Sequence, residues 1–320
     1  MKNNIVLWFF LLQVLGGIAQ QEPIYSQYRT NAFVLNPAVA GTRAEHEIRL
    51  NTRAQWRGLP GAPRTHTLSW NGPIDAKNGV GLIAFADATG PSVRTGVQAA
   101  YAFRIPLAQP GTIGQNYLSI GLAGKYMQYT FQSDRVYFES PGDITAYEAL
   151  NGVEVADVAV GLYYYNDNLF AGVSSPNLIQ SGFGPVANQP GTLINQLHRH
   201  YFGVMGYRFV YDEMILEPSV LIRKVQTTPY QIEGNVKFLF LDEKLMAGIS
   251  YRTDWLITLM GGVEAGRYHI YYSMDLMTSS RTAGNVFGPT NEFTLGVDLG
   301  PNSGTPLVRG GGTSGKYYRQ

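Results

Sequence analysis

The feature that most constrains the fold of this chain is a series of short segments of alternating polarity. The connectors between them alternate between long and short. Only Asn166-Asp167-Asn168 separates Val158–Tyr165 from Leu169–Ser174. The next connector is the whole of Ser175–His200. Barrels of the bacterial outer membrane show this pattern, because their periplasmic turns are short, their outer loops are long and each strand alternates over about ten residues. The chain is therefore predicted to be all-β, a transmembrane antiparallel β-barrel.

About fourteen strands are predicted, and bacterial barrels made of one chain have even strand numbers. In the segment that ends at Phe240, polar Glu233, Asn235 and Lys237 alternate with an apolar set that includes Ile232. The apolar set is expected to face lipid and the polar set to face the lumen. The predicted strands lie near residues 46–53, 64–72, 79–87, 94–105, 116–129, 155–166, 168–175, 200–210, 213–225, 229–240, 243–252, 255–263, 267–276 and 291–299.

The lengths of the connectors predict the orientation of the barrel. If both termini are periplasmic, the long connectors Phe131–Glu154, Ser175–His200 and Met277–Asn291 all lie on the extracellular side. Two connectors depart from this trend, since Pro106–Gln115 is long for a periplasmic turn and Thr253-Asp254 is short for an outer loop. The expected location is the cell outer membrane, as an integral protein with both termini periplasmic.

The N-terminus indicates the same compartment independently. Lys2, the apolar run Ile5–Leu15 and the small residues of Gly17-Ile18-Ala19 predict a secretory signal peptide over 1–19. The alternative is a retained membrane helix, but the apolar run is shorter than the roughly 20 residues that a span requires. After the signal peptide we expect three parts: a segment over 20–42 that packs into the lumen as a plug, the barrel over 43–300, and a Gly-rich flexible tail over 301–320.

The composition and the scattered reactive residues exclude several classes of function. The chain has no cysteine, and its net charge of +1 gives no reason to expect binding to nucleic acid. His198 and His200 have no third ligand nearby in the sequence, so no metal is predicted, and no cofactor is predicted either. Ser174 lacks the context of a nucleophile elbow. Glu217 and Arg223 are expected to form a structural ion pair or polar network in the lumen, so no enzymatic activity is predicted.

Two blocks of the sequence carry a resemblance to a known family. The first contains Gln21–Tyr28, with the Tyr-Ser-Gln-Tyr stretch, and then Asn36–Gly41, which reads Asn-Pro-Ala-Val-Ala-Gly. The second is Arg53–Ser69, which contains Arg-Ala-Gln-Trp and Pro-Arg-Thr. Together these blocks resemble the PorP/SprF family of outer-membrane proteins. The resemblance extends over nearly the whole mature chain, although Ile24 and the tail over 301–320 depart from the family pattern.

The resemblance implies a role in type IX secretion or in the gliding apparatus that uses it. It implies a barrel that helps to export or hold a secreted cargo such as a large surface adhesin. The expected partners are outer-membrane lipid, that secreted cargo or adhesin, and periplasmic and outer-membrane components of the secretion system. The alternative is a passive, porin-like solute channel, since a barrel of about fourteen strands has a lumen wide enough for small molecules when nothing fills it.

Ten residues of the matching blocks are predicted to have structural or partner-binding roles. The first group is expected to seat the N-terminal segment in the barrel, and it consists of Tyr25, Ser26, Gln27, Tyr28, Asn36 and Pro37. The second group is expected to fix the first hairpin, and it consists of Arg53, Gln55, Trp56 and Arg64. Pro60 and Pro63 stiffen the connector that contains Trp56, which is expected either to fold onto the barrel mouth or to bind cargo.

Overall fold

The computed structural model describes residues 25–107, 116–132, 152–186, 189–226, 228–278 and 288–300. The predicted signal peptide and the predicted tail lie outside the described residues. None of the helices in these ranges qualifies as a candidate membrane span. The described elements are the 3₁₀ helices η1 (Ala32–Val34) and η2 (Pro37–Val39) and the strands β1 (His46–Ala54), β2 (Arg64–Pro73), β3 (Asn78–Thr89), β4 (Ser92–Pro106), β5 (Tyr117–Phe131), β6 (Val153–Tyr165), β7 (Leu169–Ser175), β8 (Gly182–Val186), β9 (Gln189–Gln196), β10 (His200–Tyr207), β11 (Phe209–Val210), β12 (Met214–Val225), β13 (Gln231–Phe240), β14 (Leu245–Arg252), β15 (Leu256–Ala265), β16 (Tyr268–Met277) and β17 (Thr290–Leu299).

Fifteen of the described strands form one antiparallel sheet that closes on itself. β1 pairs with both β2 and β17, and the sheet closes where β10 pairs with both β7 and β12. β10 and β11 both pair with β12 and are separated only by Arg208, so they are two parts of one wall strand. Fifteen strands less one give a wall of fourteen, which confirms the predicted barrel.

Side chains alternate between the lumen and the outer face along the wall strands, as the backbone pleat requires. In β13, Glu233, Asn235 and Lys237 are buried, whereas Ile232 is 43% exposed. The same alternation appears in β16 and β17, where apolar side chains are exposed and polar side chains are buried. An apolar outer face suits contact with lipid, so the predicted facing of these strands is confirmed.

The two ends of the barrel differ in the length of their connectors. β1 begins and β17 ends at the same end, since His46 pairs with Leu299. This short-connector end contains the connectors 74–77, 107–116, 166–168, 211–213, 241–244 and 266–267. The long-connector end contains 55–63, 90–91, 132–152, 176–199, 226–230, 253–255 and 278–289. The contrast is a trend, as the sequence indicated, and the side of the membrane that each end faces stays a prediction.

The connector 176–199 contains a hairpin that the sequence pattern did not indicate. β8 and β9 form a separate two-stranded sheet. Both are rich in Gly and Pro, which are unfavourable in strands, so their residues read as a loop. The connector is fixed to the wall at its start, because the Asp157 carboxylate accepts hydrogen bonds from the backbone N–H groups of Ile179 at 2.9 Å and Ser181 at 3.2 Å.

Candidate functional site in the lumen

The chain from Tyr25 to Thr42, which we call the lumen segment, lies inside the barrel. Near the short-connector end, the Gly41 backbone N–H donates to the side chain of Asn71 on β2 at 3.2 Å. Toward the long-connector end, Ser26 bonds to side chains of β16 and β17. Most residues of the segment are buried. The segment therefore crosses much of the height of the lumen and contacts strands from different parts of the wall.

A network around Arg53 joins the start of the lumen segment to the wall. Arg53 donates to Asp275 and to Glu292, each at 2.7 Å, and to Ser26 Oγ at 2.8 Å. Ser26 donates from Oγ to Asp275 at 2.7 Å and from its backbone N–H to Glu292 at 2.8 Å. The side chains of Arg53, Asp275 and Glu292 are at most 3% exposed. One guanidinium thus holds two buried carboxylates from different strands, and Ser26 contacts all three groups.

Neutral donors complete this network, which has one more carboxylate than cations. Glu292 Oε1 accepts from the Gln27 backbone N–H at 3.2 Å and from Asn51 at 2.8 Å, and Thr258 donates to Asp275 at 2.9 Å. Every oxygen of the two carboxylates therefore has a donor. Hydrogen bonds from neutral donors offset part of the cost of burying a carboxylate. The lumen segment supplies part of these donors, so its docking stabilises the wall charges.

A second network holds Arg29. Its guanidinium donates to Glu217 and lies 4.0 Å from the centre of the Phe170 ring, and Lys237 Nζ lies 3.0 Å from the same carboxylate. The Glu217 carboxylate supplies the counter-charge that a buried guanidinium requires. Of the two arrangements predicted for Glu217 and Arg223, the direct ion pair is wrong. The two residues are six positions apart on β12, about 20 Å along an extended strand, so they cannot touch.

Asn36 and the residues after it lie against glycines of the wall. The Asn36 side chain accepts from the Ala38 backbone N–H at 2.9 Å, which caps η2, and donates to the carbonyl of Leu162 on β6 at 3.0 Å. A Cβ atom at Gly121 would lie 2.2 Å from the Ala38 nitrogen, and one at Gly161 would lie 1.9 Å from Asn36 Oδ1. No side chain fits at either position while the segment stays in place. These two glycines therefore make the close approach possible.

The two tyrosines of the lumen segment belong to one buried apolar cluster that includes wall residues. The Tyr25 hydroxyl forms a hydrogen bond of 2.8 Å with Thr67 on β2. Tyr28 packs with Phe202 and Leu221. The Tyr28 side chain is fully buried there. Both rings thus serve as buried anchors of the segment.

The remaining predicted residues lie in the first long connector or beside it. The backbone N–H of Gln55 donates to the Pro63 carbonyl at 2.9 Å, and that of Trp56 donates to Thr290 at 3.2 Å. Arg64 begins β2 with an exposed side chain on the outer face. The predicted residues therefore do not form one site. The lumen brings together Tyr25, Ser26, Gln27, Tyr28, Asn36, Pro37 and Arg53, whereas Gln55, Trp56 and Arg64 lie outside it.

Several residues that organise the lumen were not among the predicted site residues. Asp275, Glu292 and Glu217 hold the two networks, and Gly121 and Gly161 admit the segment. The polar alternation of β16 and β17 predicts that Asp275 and Glu292 face the lumen, but no sequence signal pairs them with Arg53. Within the described ranges, no group of three or more His, Asp or Glu side chains is arranged to hold a metal ion.

These features define an integral barrel protein of the bacterial outer membrane, with an apolar outer face and a lumen lined by ion pairs. The family model for the type IX secretion system membrane protein PorP/SprF matches residues 17–297. The chain therefore belongs to the PorP/SprF family, and the expected family is confirmed.

Comparison with other proteins gives only distant likenesses. No curated protein matches the chain. Among solved structures, the outer membrane protein Omp33 of Acinetobacter baumannii is 10% identical and has a TM-score of 0.42, with 81% of this chain and 99% of that chain covered. The CymD monoaromatic hydrocarbon channel is 11% identical and has a TM-score of 0.48, with 84% and 91% covered. The KdgM porin in complex with disordered oligogalacturonate is 11% identical and has a TM-score of 0.33, with 79% and 98% covered.

Proposed function

We propose that this protein is a non-enzymatic component of the type IX secretion or gliding apparatus, which binds or helps to export a secreted surface protein such as a large adhesin. Membership of the PorP/SprF family supports the secretion role. The observation that carries the proposal is the lumen segment, which occupies the lumen and is held by two buried ion networks. A barrel whose lumen is occupied is better suited to binding other proteins than to passive diffusion of solutes.

In this proposal the long-connector end faces the cell surface and the short-connector end faces the periplasm, where both termini and the secretion components lie. The long connectors then meet the secreted partner. The alternative predicted from the sequence, a passive solute channel, requires an open lumen. The lumen segment counts against that alternative.

The connector 55–63 offers a surface for the secreted partner. Its backbone is fixed to the neighbouring connector, because the Arg57 N–H donates to the Pro289 carbonyl at 3.2 Å and the Gly288 N–H donates to the Arg57 carbonyl at 3.1 Å. Trp56 is nevertheless 37% exposed, and Arg57 is exposed as well. Tryptophan and arginine are enriched among residues that dominate binding energy, and a fixed connector loses little freedom on binding.

The test is affinity purification of the tagged protein from outer membranes of its native bacterium. The wild type is compared with Trp56→Ala and with Trp255→Ala, a matched control with an exposed tryptophan at the same end of the barrel. We expect the wild type and the control to recover a large secreted surface protein together with secretion components. The Trp56→Ala variant should recover less of the surface protein, although the amount of barrel protein in the outer membrane is the same as for the wild type. Recovery of the wild-type barrel alone, or only as a homotrimer, contradicts the proposal.

A further inference from the structure

A polar patch on the wall lies beside the Arg53 network, but its side chains form none of the hydrogen bonds that hold the lumen segment. It consists of Arg223, Glu233, Asn235 and Arg252, and we call it the Arg223 patch. All four side chains are buried and lie on the inner face of β12, β13 and β14. Glu233 pairs directly with Arg252 across the sheet, and Asn235 follows on the same face. Arg223 lies two residues before β12 ends at Val225, so the patch lies toward the long-connector end.

The patch contains an unusual concentration of polar atoms without hydrogen-bond partners. Within the patch this holds for Arg223 Nη1, Arg252 Nη1, Glu233 Oε1 and both polar side-chain atoms of Asn235. The hydroxyls of Ser219 and Ser250, which lie opposite Asn235 on the neighbouring strands, also lack partners. Roughly nine in ten buried polar groups in folded proteins have a partner, so a cluster of such atoms requires a physical reason. Since these side chains come from three adjacent strands, one bound group can reach several of them.

The charges of the patch are also incompletely paired. Arg223 makes no ion pair with a described residue, and its guanidinium lies 5.9 Å from the centre of the Phe202 ring. Arg252 donates from Nε to Asp254 at 2.8 and 3.0 Å, and its Nη1 lies 3.8 Å from Glu233. Asp254 has a 38% exposed side chain and lies at the rim. Within the buried patch, one carboxylate therefore faces two guanidinium groups.

The neighbouring carboxylates of Asp275 and Glu292 do not make up this deficit. Their oxygens already accept hydrogen bonds from Arg53, Ser26 and surrounding neutral donors. Turning either carboxylate toward Arg223 would break bonds that hold the lumen segment. An arginine side chain cannot lose its proton in a protein, and a buried charge without a counter-charge is costly. Arg223 therefore has only the Glu233 carboxylate, which it shares with Arg252, as a counter-charge, and an added anion would supply the hydrogen bonds that its guanidinium lacks.

We propose that the Arg223 patch binds an oxyanion, a carboxylate or phosphate group that accepts hydrogen bonds from Arg223, Arg252 and the Asn235 amide. The planar guanidinium fork matches the two oxygens of such a group. Asp254 orients Arg252 through its Nε, whereas the Glu233 carboxylate repels the ligand, which limits the affinity. The patch lies near the long-connector end, so the ligand enters there. This inference does not depend on the proposed secretion role.

The experiment uses the purified full barrel in detergent, titrated with sodium phosphate or sodium acetate at constant ionic strength. The melting temperature is followed by tryptophan fluorescence. We expect a saturable rise for the wild type. Arg223→Gln should weaken the apparent affinity about tenfold to a hundredfold, since a charge-assisted hydrogen bond is lost. Glu233→Gln should strengthen it. Lys224→Gln is the matched control, because it removes the same charge from the outer face of the same strand, where Lys224 bonds to Thr228.

The result that overturns the proposal is an adventitious ion only: wild type and Arg223→Gln respond alike, or the rise does not saturate. If Arg223→Gln fails to fold, Glu233→Gln decides, and an unchanged affinity in that variant overturns the proposal. The source of the oxyanion is distinguished by a short peptide with a free C-terminal carboxylate and the same peptide amidated. Tighter binding of the free peptide than of acetate or phosphate identifies a polypeptide end, and tighter binding of phosphate identifies a small solute.

Discussion

At the scale of single residues, Arg53 is central to the lumen near the long-connector end, because it forms ion pairs with both Asp275 and Glu292. Its side chain is 3% exposed, so solvent screens its interaction with the two carboxylates only weakly. The loss of one partner from a buried ion pair is far more costly than the loss of a surface charge. The same end of β1 and β2 offers the comparison, since Arg64 is exposed on the outer face opposite Ala54.

We predict that Arg53→Met destabilises the folded barrel by roughly 3–5 kcal/mol, because two buried carboxylates lose their cation. Arg64→Met should change the free energy of unfolding by less than about 0.5 kcal/mol. Urea titration in detergent micelles, read by the mobility shift between folded and unfolded barrel, measures both. Equal effects of the two variants would show that the network around Arg53 does not exist as described.

The wall glycines give a second prediction for single residues. In Gly121→Ala the new methyl group meets the Ala38 backbone nitrogen, so the lumen segment must shift. Such overpacking costs about 1–3 kcal/mol. Gly234→Ala is the matched control, since nothing lies within 4 Å of a Cβ atom there. Limited proteolysis of intact barrels should cleave the lumen segment faster in Gly121→Ala only, and similar cleavage in both variants would contradict the packing.

At the scale of elements, the wall strands were predictable because the polarity of each residue in a strand reflects whether it faces lipid or the lumen. In β13 and β17 the polar and apolar faces alternate residue by residue, which is a local pattern. The interruption at Arg208 was not predictable, since the residues on both sides continue the alternation. The side chain of Arg208 bonds to Glu243 in the next short connector at 2.8 Å, and only the fold brings the two together.

The contacts of the lumen segment were beyond sequence reasoning for the same physical reason. Ser26 bonds to Glu292, 266 positions along the chain, and no local pattern encodes a partner at that distance. The motif residues Tyr25–Tyr28 and Asn36-Pro37 were identified through the family resemblance. Their position against particular wall glycines depends on closure of the barrel, which places β5 and β6 beside η2.

The packing of the lumen segment on β6 predicts a specific crosslink. A Cβ atom at Gly161 would lie 2.8 Å from Asn36 Cγ, so the two Cβ atoms fall in the range of about 3.5–4.5 Å that a disulfide needs. Asn36→Cys with Gly161→Cys should form a disulfide in intact membranes under mild oxidation. The chain has no other cysteine, so the product is unambiguous.

The matched control for this crosslink is Asn36→Cys with Gly234→Cys, which places the second thiol on the outer face of β13. A shift in mobility after cleavage between the two cysteines, with and without reductant, measures the yield. The first pair should be bridged in the folded protein and the control pair should not. A bridge that forms only after unfolding would mean that the segment does not lie against β6.

On the scale of the whole molecule, the lumen segment ties distant parts of the wall together. Arg29 binds Glu217 on β12, and Ser26 binds Asp275 on β16 and Glu292 on β17. The first wall strand, β1, starts at the short-connector end, and the last, β17, ends there. The lumen segment joins β1 at that end. The protein is thus a closed wall around a segment of its own chain, and that arrangement is the basis for proposing a partner-binding role.

The most direct test of this account is the conductance of the purified wild-type protein in planar lipid bilayers. The account predicts no steady ohmic pore, because the lumen segment occupies the lumen, and it predicts large conductance steps for a variant that lacks residues 20–42. The variant is also the positive control, because its conductance tests whether the emptied barrel is wide enough to conduct. A wild-type protein that conducts as the deletion variant does, without any partner, would contradict the central claim.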